Sequence, residues 1–186
     1  LEGTAVKGPG LEHLKHTPRV TYLNLPHEGM TRDLVPLICQ LKFVEYIQPF
    51  PSGLTDNDLR LIGQLTRLKQ LKLESTVTDS GLAHLSGLQD LEQVHLPNNF
   101  PPRLLMHLGK LNLREIRFPP GSGDTEVAHF AKMQKLERAY AADQMTDEGL
   151  RLVAAYPVLQ ALDLLACEKI TDGGIAHLAE CPTLRE

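Results

Sequence analysis

The chain has 186 residues, a formal net charge of −4, three cysteines and 5% aromatic residues. This length allows one sizeable core or an array of repeats, and the nearly balanced charge gives no sign of a nucleic-acid-binding surface. No apolar run approaches the roughly 18–20 residues of a membrane-spanning helix. Because the cysteines are few and odd in number, we expect free thiols and a reducing, cytoplasmic environment rather than a disulfide scaffold.

One pattern, L-x-x-L-x-L, recurs along the whole chain. Its copies begin at positions 20, 44, 68, 91, 113, 136 and 159, which are 22 to 24 residues apart. Five copies are clear, and two are degenerate: Val44-Ile47-Pro49 and Leu136-Ala139-Ala141. A self-similarity at so constant a period predicts a repeat array rather than a single layered core.

Each repeat divides into a strand half and a helix half. The L-x-L part alternates and is short, as in a strand with one buried side. In the following half, apolar residues recur every three positions, as at Leu59, Ile62 and Leu65. Stacking such units buries their apolar stripes. We therefore predict helices on one side of a single parallel sheet, whose strands lie near 22–25, 46–48, 70–73, 93–96, 115–118, 138–141 and 161–164.

Four Thr-Asp pairs precede the helical halves: Thr55-Asp56, Thr78-Asp79, Thr146-Asp147 and Thr171-Asp172. A Thr or Asp oxygen at this position can accept hydrogen bonds from the free N–H groups of the first helical turn, and each such cap contributes about 1 kcal/mol. Because four equivalent aspartates recur, we interpret them as helix caps rather than as catalytic groups.

Cysteine and histidine residues are candidate reactive or metal-binding groups. Cys181 occupies a repeat position that elsewhere holds Leu65, Leu88 or Tyr156, so we expect it to be a buried small apolar residue. Cys167 occupies a turn position that needs a residue able to bond to neighbouring backbone. Histidines recur in one register, at His13, His84, His107, His129 and His177. Helices pack about 8–10 Å apart, too far for neighbouring histidines to share a zinc ion. We therefore expect neither a metal site nor a cofactor.

The chain resembles the leucine-rich repeat family along almost its whole length. The last full repeat is similar to the cysteine-containing subclass found in F-box proteins, which it matches at Cys167, Thr171-Asp172 and Cys181-Pro182. The TVTDSGL copies are equally similar to bacterial arrays of this type. The resemblance implies an α/β right-handed solenoid (horseshoe), with a parallel concave sheet, convex helices and protein–protein binding. Proline and glycine replace the Thr-Asp turn between about residues 97 and 125, which predicts a less regular segment.

Both ends of the sequence fall inside a repeat. Leu1 corresponds to the end of a strand, and Leu184 to the beginning of another. We therefore expect residues 1–186 to be a single leucine-rich repeat domain of about seven repeats, belonging to a longer protein.

The binding residues are predicted from the strand pattern. The side chains that alternate with the buried leucines should project from the concave sheet, and they include three of the four tyrosines. Tyrosine and arginine are enriched at binding hot spots, although strands also favour tyrosine for its own packing. The predicted partner-binding residues are Tyr22, Tyr46, Phe50, Lys72, His95, Arg117, Arg138, Tyr140 and Asp163.

The function predicted from these features is non-enzymatic binding of a protein or peptide on the concave sheet. The partner is expected to be extended or convex, with apolar residues at one end and acidic ones at its centre. No nucleic-acid or membrane partner is expected. The alternatives are a structural repeat array in a multidomain protein and the substrate-recognition part of a ubiquitin-ligase adaptor. A metal-dependent hydrolase built on the histidines with Cys39 or Cys167 is the least favoured alternative.

Overall fold

The fold alternates short strands with short helices. A computed structural model describes residues 8–17, 19–25, 31–74, 76–140 and 142–186. Its strands are β1 (Tyr22–Asn24), β2 (Tyr46–Gln48), β3 (Gln70–Lys72), β4 (Gln93–His95), β5 (Glu115–Arg117), β6 (Arg138–Tyr140) and β7 (Ala161–Asp163). The α-helices are α1 (Val35–Ile38), α2 (Asp56–Ile62), α3 (Asp79–Ala83), α4 (Leu105–Leu108), α5 (Asp124–Ala128), α6 (Asp147–Ala154) and α7 (Asp172–Leu178). Short 3-10 helices cover Gly8–His16, Arg32–Leu34, His84–Gly87 and Pro102–Leu104.

The α/β repeat fold predicted from the sequence is confirmed. A strand lies inside each of the seven predicted segments. Strand β1 pairs in parallel with β2, and β6 pairs in parallel with both β5 and β7. The predicted strand positions Leu1 and Ala141 lie outside the described residues. Within the part of the chain that the structure describes, no helix has the length and apolar character needed to cross a membrane.

The chain forms two compact units, Leu1–Leu91 and Glu92–Glu186. In the first unit, β1 and β2 pair in parallel with three aligned residue pairs. In the second unit, β4, β5, β6 and β7 follow one another in chain order across a parallel sheet. The alignment there places Arg117, Tyr140 and Asp163 side by side on successive strands. The expectation of one domain of seven repeats stays a prediction.

The prediction of a single sheet is wrong, because β1 and β2 form a two-stranded ladder apart from the sheet that contains β3. The β3 segment does start beside β2, since the Lys69 N–H donates to the Glu45 carbonyl at 2.9 Å. After β1, the Leu25 N–H donates to the Gln48 carbonyl at 2.9 Å. The equivalent position after β2 is Pro49, which has no N–H to donate to the next strand.

The core is built from the repeated leucine positions. Leu68, Leu91, Leu113 and Leu159 are fully buried, whereas Leu162 in β7 is half-buried. In five copies the residue three positions before the first leucine of the pattern is also buried, and these residues are Leu65, Leu88, Met133, Tyr156 and Cys181. The predicted burial of Cys181 in place of a large apolar residue is therefore confirmed.

The segment 97–125 departs from the repeats that carry a Thr-Asp pair, as its prolines and glycines predict. The helical half of repeat four is split between a 3-10 turn, Pro102–Leu104, and the four-residue α4. The next helix, α5, begins after Gly123 and has no threonine cap. One aligned pair, Gln93 with Glu115, joins β4 to β5, whereas three join β5 to β6.

Candidate functional site

In each unit, the strands present polar and aromatic side chains on the side away from the core. In β2 to β5, the middle residue is buried while its two neighbours are more exposed. We call the first and third side chains of the strands the outer strand face, and we describe it separately in each unit. The first unit contributes Tyr22, Tyr46 and Lys72 to this face, and the second contributes His95, Arg117, Arg138, Tyr140 and Asp163.

Two tyrosines are brought together in the first unit. The Tyr22 and Tyr46 rings lie 5.9 Å apart between centroids, and the Tyr22 hydroxyl donates to Gln48 Oε1 at 2.7 Å. The Lys69 ammonium lies 5.7 Å from the Tyr46 ring centroid. The third predicted aromatic residue, Phe50, is half-buried two residues beyond β2 and makes no ring contact with either tyrosine among the described residues. The ring contact in this unit therefore joins Tyr22 to Tyr46, and the role of Phe50 in binding stays a prediction.

In the second unit, the outer strand face carries an arginine stacked on a tyrosine. The Arg117 guanidinium lies 4.0 Å from the centroid of the Tyr140 ring, on the neighbouring strand. Arg138 is exposed two residues before Tyr140 on β6. Within the described residues, neither arginine has a carboxylate partner, whereas Arg114 at the start of β5 pairs with both Glu92 and Glu137. Arg117 and Arg138 are therefore exposed cations that remain available to a ligand.

A small cavity adjoins these arginines. It has a volume of about 170 Å³ and lies over β6 and β7. Ala161 is aligned with Arg138 on β6. Because the alanine side chain is much smaller than that of Arg138, it leaves this space open. Its lining residues are Arg138, Ala139, Tyr140, Ala161, Leu162, Asp163 and Glu186.

The Thr-Asp pairs cap helices as predicted. Thr78, Thr146 and Thr171 each accept a hydrogen bond from the backbone N–H two residues later, at 3.2 to 3.3 Å. Thr55 instead forms a capping box with Asp58.

A second role of Asp56 and Asp147, which Asp124 shares, was not foreseen from the sequence. Each of these three aspartates also accepts hydrogen bonds from the threonine of the following repeat. Asp124 accepts from the Thr146 N–H at 2.9 Å and from its hydroxyl at 2.6 Å. Asp147 accepts from Thr171 in the same way, at 2.8 and 2.6 Å. These bonds hold the pKa of Asp147 below its usual value. Asp56 and Thr78 repeat the arrangement in the first unit. We call this contact the Asp–Thr interlock.

A glycine completes the interlock. A Cβ on Gly149 would lie 2.3 Å from Asp124 Oδ1, and one on Gly174 would lie 2.2 Å from Asp147 Oδ1. Gly81 faces Asp56 in the same manner, at 2.3 Å. The recurring signal in the sequence was thus Thr-Asp-x-Gly, in which the glycine leaves room for the aspartate of the preceding repeat.

The first repeat uses a charge-reversed version of this contact. Arg32 occupies the position of the interlock aspartate, and its Nε donates to Asp58 Oδ2 at 2.7 Å. Asp58, at the position of the interlock glycine, is buried. Although this burial raises its pKa, the hydrogen bonds from Thr55 and Arg32 outweigh the effect and leave the pKa of Asp58 below its usual value.

The three cysteines are held by packing or by backbone contact. Burial raises the pKa of Cys39 to about 12, although the nearby Lys42 lowers it and Asp58 raises it further. The Cys167 thiol donates to the Ala142 carbonyl at 3.4 Å, which is the backbone contact expected at its turn. The described cysteines Cys39, Cys167 and Cys181 are all free.

The five histidines of the predicted register lie on or next to the helices. His107 and His177 lie within α4 and α7, whereas His84 and His129 cap α3 and α5. His13 lies in the first 3-10 helix. In the described ranges, no three His, Cys, Asp or Glu side chains are grouped closely enough to hold a metal ion.

Comparison with solved structures shows a likeness to a bacterial protein. The chain is similar to the crystal structure of an internalin (inlF) from Listeria monocytogenes str. 4b F2365, with 19% sequence identity and a TM-score of 0.49. The match covers 80% of this chain and 42% of the internalin chain, so this chain spans less than half of that structure. No family model matches the chain, and no curated protein matches it.

Proposed function

We propose that the chain is a non-enzymatic interaction module that binds a protein or peptide on the outer strand face. The observation that carries this proposal is the Arg117–Tyr140 pair, which presents an oriented guanidinium and an aromatic ring to solvent. The paired rings of Tyr22 and Tyr46 support it in the first unit. Such aromatic and arginine side chains are the residue types that dominate binding energies at protein interfaces.

The F-box-type resemblance adds a finer alternative, in which the module recognises substrates for a ubiquitin ligase. It rests on the Cys167 and Cys181 positions of the last repeat. Both cysteines serve the stacking of repeats, since Cys181 is buried and Cys167 bonds to the Ala142 carbonyl. Those roles suit a repeat array with any partner, including a purely structural one, so we propose the general binding function in a reducing, cytoplasmic environment.

The test is to select binding peptides from a random display library and to measure their affinity for substituted proteins. Tyr46→Ala and Arg117→Ala test the outer strand face, and His84→Ala and His129→Ala are controls on the helices. We expect the alanine substitution of a true anchor on the outer strand face to weaken binding by about 2 kcal/mol or more. The melting temperature should remain nearly unchanged, because these side chains point away from the core. Affinity losses confined to the histidine variants would show that the choice of face is wrong.

A further inference from the structure

The cavity beside Arg138 has walls of opposite charge. Arg138 lines one side, with Arg117 beyond it on β5, while Asp163 and Glu186 line the other. Ala139, Ala161 and Leu162 supply the apolar surface between these walls. Charge thus changes from positive to negative along the direction from β5 to β7.

The anions of this face do not neutralise the two arginines. Glu115 is aligned with Arg138 but accepts a hydrogen bond from the Gln93 amide at 3.2 Å. Asp163 Oδ1 accepts from the Leu165 N–H at 2.8 Å, which holds that carboxylate on the β7 side of the cavity. A guanidinium stacked on a ring keeps its N–H edge free for a bidentate bond to a carboxylate.

From this arrangement we infer that the second unit recognises an extended protein segment carrying an acidic, an apolar and a basic side chain at alternate positions. The acidic side chain binds Arg117 and Arg138, the apolar one enters the cavity, and the basic one pairs with Asp163 and Glu186. Alternate residues of an extended segment project to the same side about 6–7 Å apart, and a cavity of about 150 Å³ accommodates a benzene-sized group. This inference rests on the proposed function and specifies its partner.

The probe is a fluorescent peptide, Ser-Glu-Ser-Leu-Ser-Lys-Ser, whose binding is followed by fluorescence anisotropy. Two comparison peptides carry Glu at both charged positions or Lys at both, and a third carries Ser in place of Leu. A fourth carries phosphoserine in place of Glu, which separates a phosphate ligand from a carboxylate. We expect the Glu-Leu-Lys probe to bind at least about tenfold more tightly than each of the four.

Matched variants connect that preference to the site. Arg117→Ala removes one cation from the face, and Arg114→Ala removes one from an ion-paired position at the start of the same strand. We expect Arg117→Ala to weaken probe binding at least about tenfold and Arg114→Ala to leave it nearly unchanged. Tyr140→Leu should weaken probe binding, whereas Tyr140→Phe, which keeps the ring, should bind the probe as tightly as the unsubstituted protein does.

Two further variants test the cavity and its negative wall. Ala161→Leu should block the cavity without changing charge. Asp163→Asn keeps an acceptor for the Leu165 N–H and should reduce the preference for Lys over Glu at the last charged position, because Glu186 alone then remains on the negative wall. All variants are first checked for an unchanged circular dichroism spectrum and melting temperature.

The inference is overturned if the Glu-Leu-Lys probe binds no better than the comparison peptides, or if Arg114→Ala weakens it as much as Arg117→Ala. Tighter binding of the phosphoserine peptide would likewise overturn the assignment of a carboxylate. If library-selected peptides still depend on the outer strand face in any of these cases, the proposed function stands and only the partner chemistry is wrong.

Discussion

At the scale of single residues, two adjacent glycines in α7 differ in what a side chain would contact. A Cβ on Gly174 would lie 2.2 Å from Asp147 Oδ1, whereas one on Gly173 would lie 3.4 Å from its nearest neighbour, Thr171 Oγ1. Alanine normally stabilises a helix by about 0.5–1 kcal/mol relative to glycine. We expect Gly173→Ala to be neutral or stabilising, and Gly174→Ala to lower the free energy of unfolding by about 1–3 kcal/mol. Urea denaturation measures both.

Combining Gly174→Ala with a substitution of Asp147 identifies why the free energy of unfolding falls. If the clash is with the Asp147 carboxylate, then Asp147→Ala should make the later change Gly174→Ala much less costly. A double-mutant cycle gives this coupling energy. Equal costs of Gly174→Ala with and without Asp147 would show that the interlock is not what requires glycine.

The three thiols should differ in reactivity. Cys39 and Cys181 are buried, and burial raises the pKa of Cys39 to about 12. Cys167 is the most accessible of the three, although burial and the charges of Asp143 and Asp163 raise its pKa as well. Under native conditions at pH 8, iodoacetamide should label Cys167 first and leave Cys39 and Cys181 unmodified, as peptide mass analysis would show. Rapid native labelling of Cys181 would contradict its packing role.

Replacement of the buried thiol should also cost stability. Cys181→Ser places a hydroxyl where Leu65 and Leu88 stand in other repeats. The Cys181 sulfur lies 3.8 Å from Thr183 Oγ1, which is too long for a hydrogen bond between two hydroxyls. A buried hydroxyl without a partner costs about 1–3 kcal/mol in proteins, so the unfolding free energy should fall by that amount. A thermal or urea melt that matches the unsubstituted protein would mean that the site is open to water.

At the scale of elements, the contact between the first two repeats can be converted into the form used elsewhere. Arg32 and Asp58 replace the interlock aspartate and glycine, and Thr55 stands where the other interlocks have their threonine. Arg32→Asp alone sets a second carboxylate against the buried Asp58 and should destabilise the protein by roughly 1–3 kcal/mol. Adding Asp58→Gly leaves room for that carboxylate to bind Thr55.

We therefore expect the double variant Arg32→Asp, Asp58→Gly to unfold at higher urea than Arg32→Asp alone. The reason is that Thr55 would donate its N–H and hydroxyl to the new aspartate, as Thr146 does to Asp124. Additive losses from the two substitutions would show that the positions are not interchangeable. That outcome would restrict the interlock to the repeats where it now occurs.

At the scale of the whole molecule, the sequence predicted the repeated elements well and their mutual contacts poorly. Period-two alternation located β1 to β7, because a half-buried strand needs apolar residues at every second position. The same pattern placed Tyr22, Arg117 and Tyr140 on the outer strand face. It could not show that Arg117 stacks on Tyr140, or that Asp124 bonds to Thr146, because both contacts join residues 22 to 23 positions apart. Pro49, by contrast, is visible in the sequence, and its missing N–H could have predicted that the sheet is interrupted between β2 and β3.

The interlock is also distributed unevenly within the second unit. It joins α5 to α6 and α6 to α7 through Asp124 and Asp147. Between α4 and α5 the corresponding positions hold Pro102 and Gly123, which cannot form it. The strands follow the same trend, since β4 aligns with β5 at one residue pair and β6 aligns with β7 at three. Among the described residues of the second unit, repeat four therefore lacks the interlock with its successor and has one aligned strand pair with it.

Because the stability of a repeat array is a sum over neighbouring units, repeat four should open more easily than repeats six and seven. Amides that are hydrogen-bonded in both regions give a matched comparison in native-state hydrogen exchange. The Leu104, Leu108 and Leu111 region should exchange at a smaller opening free energy than the Leu150 to Tyr156 region, once intrinsic rates are removed. In repeat four, the N–H groups compared are Leu104 to the Pro101 carbonyl, Gly109 to Leu105 and Leu111 to Leu108. In repeat six, they are Leu150 to the Thr146 carbonyl, Ala155 to Leu152 and Tyr156 to Val153. Equal opening free energies would mean that residues 92–186 unfold as one cooperative body, in which the interlock contributes no local difference.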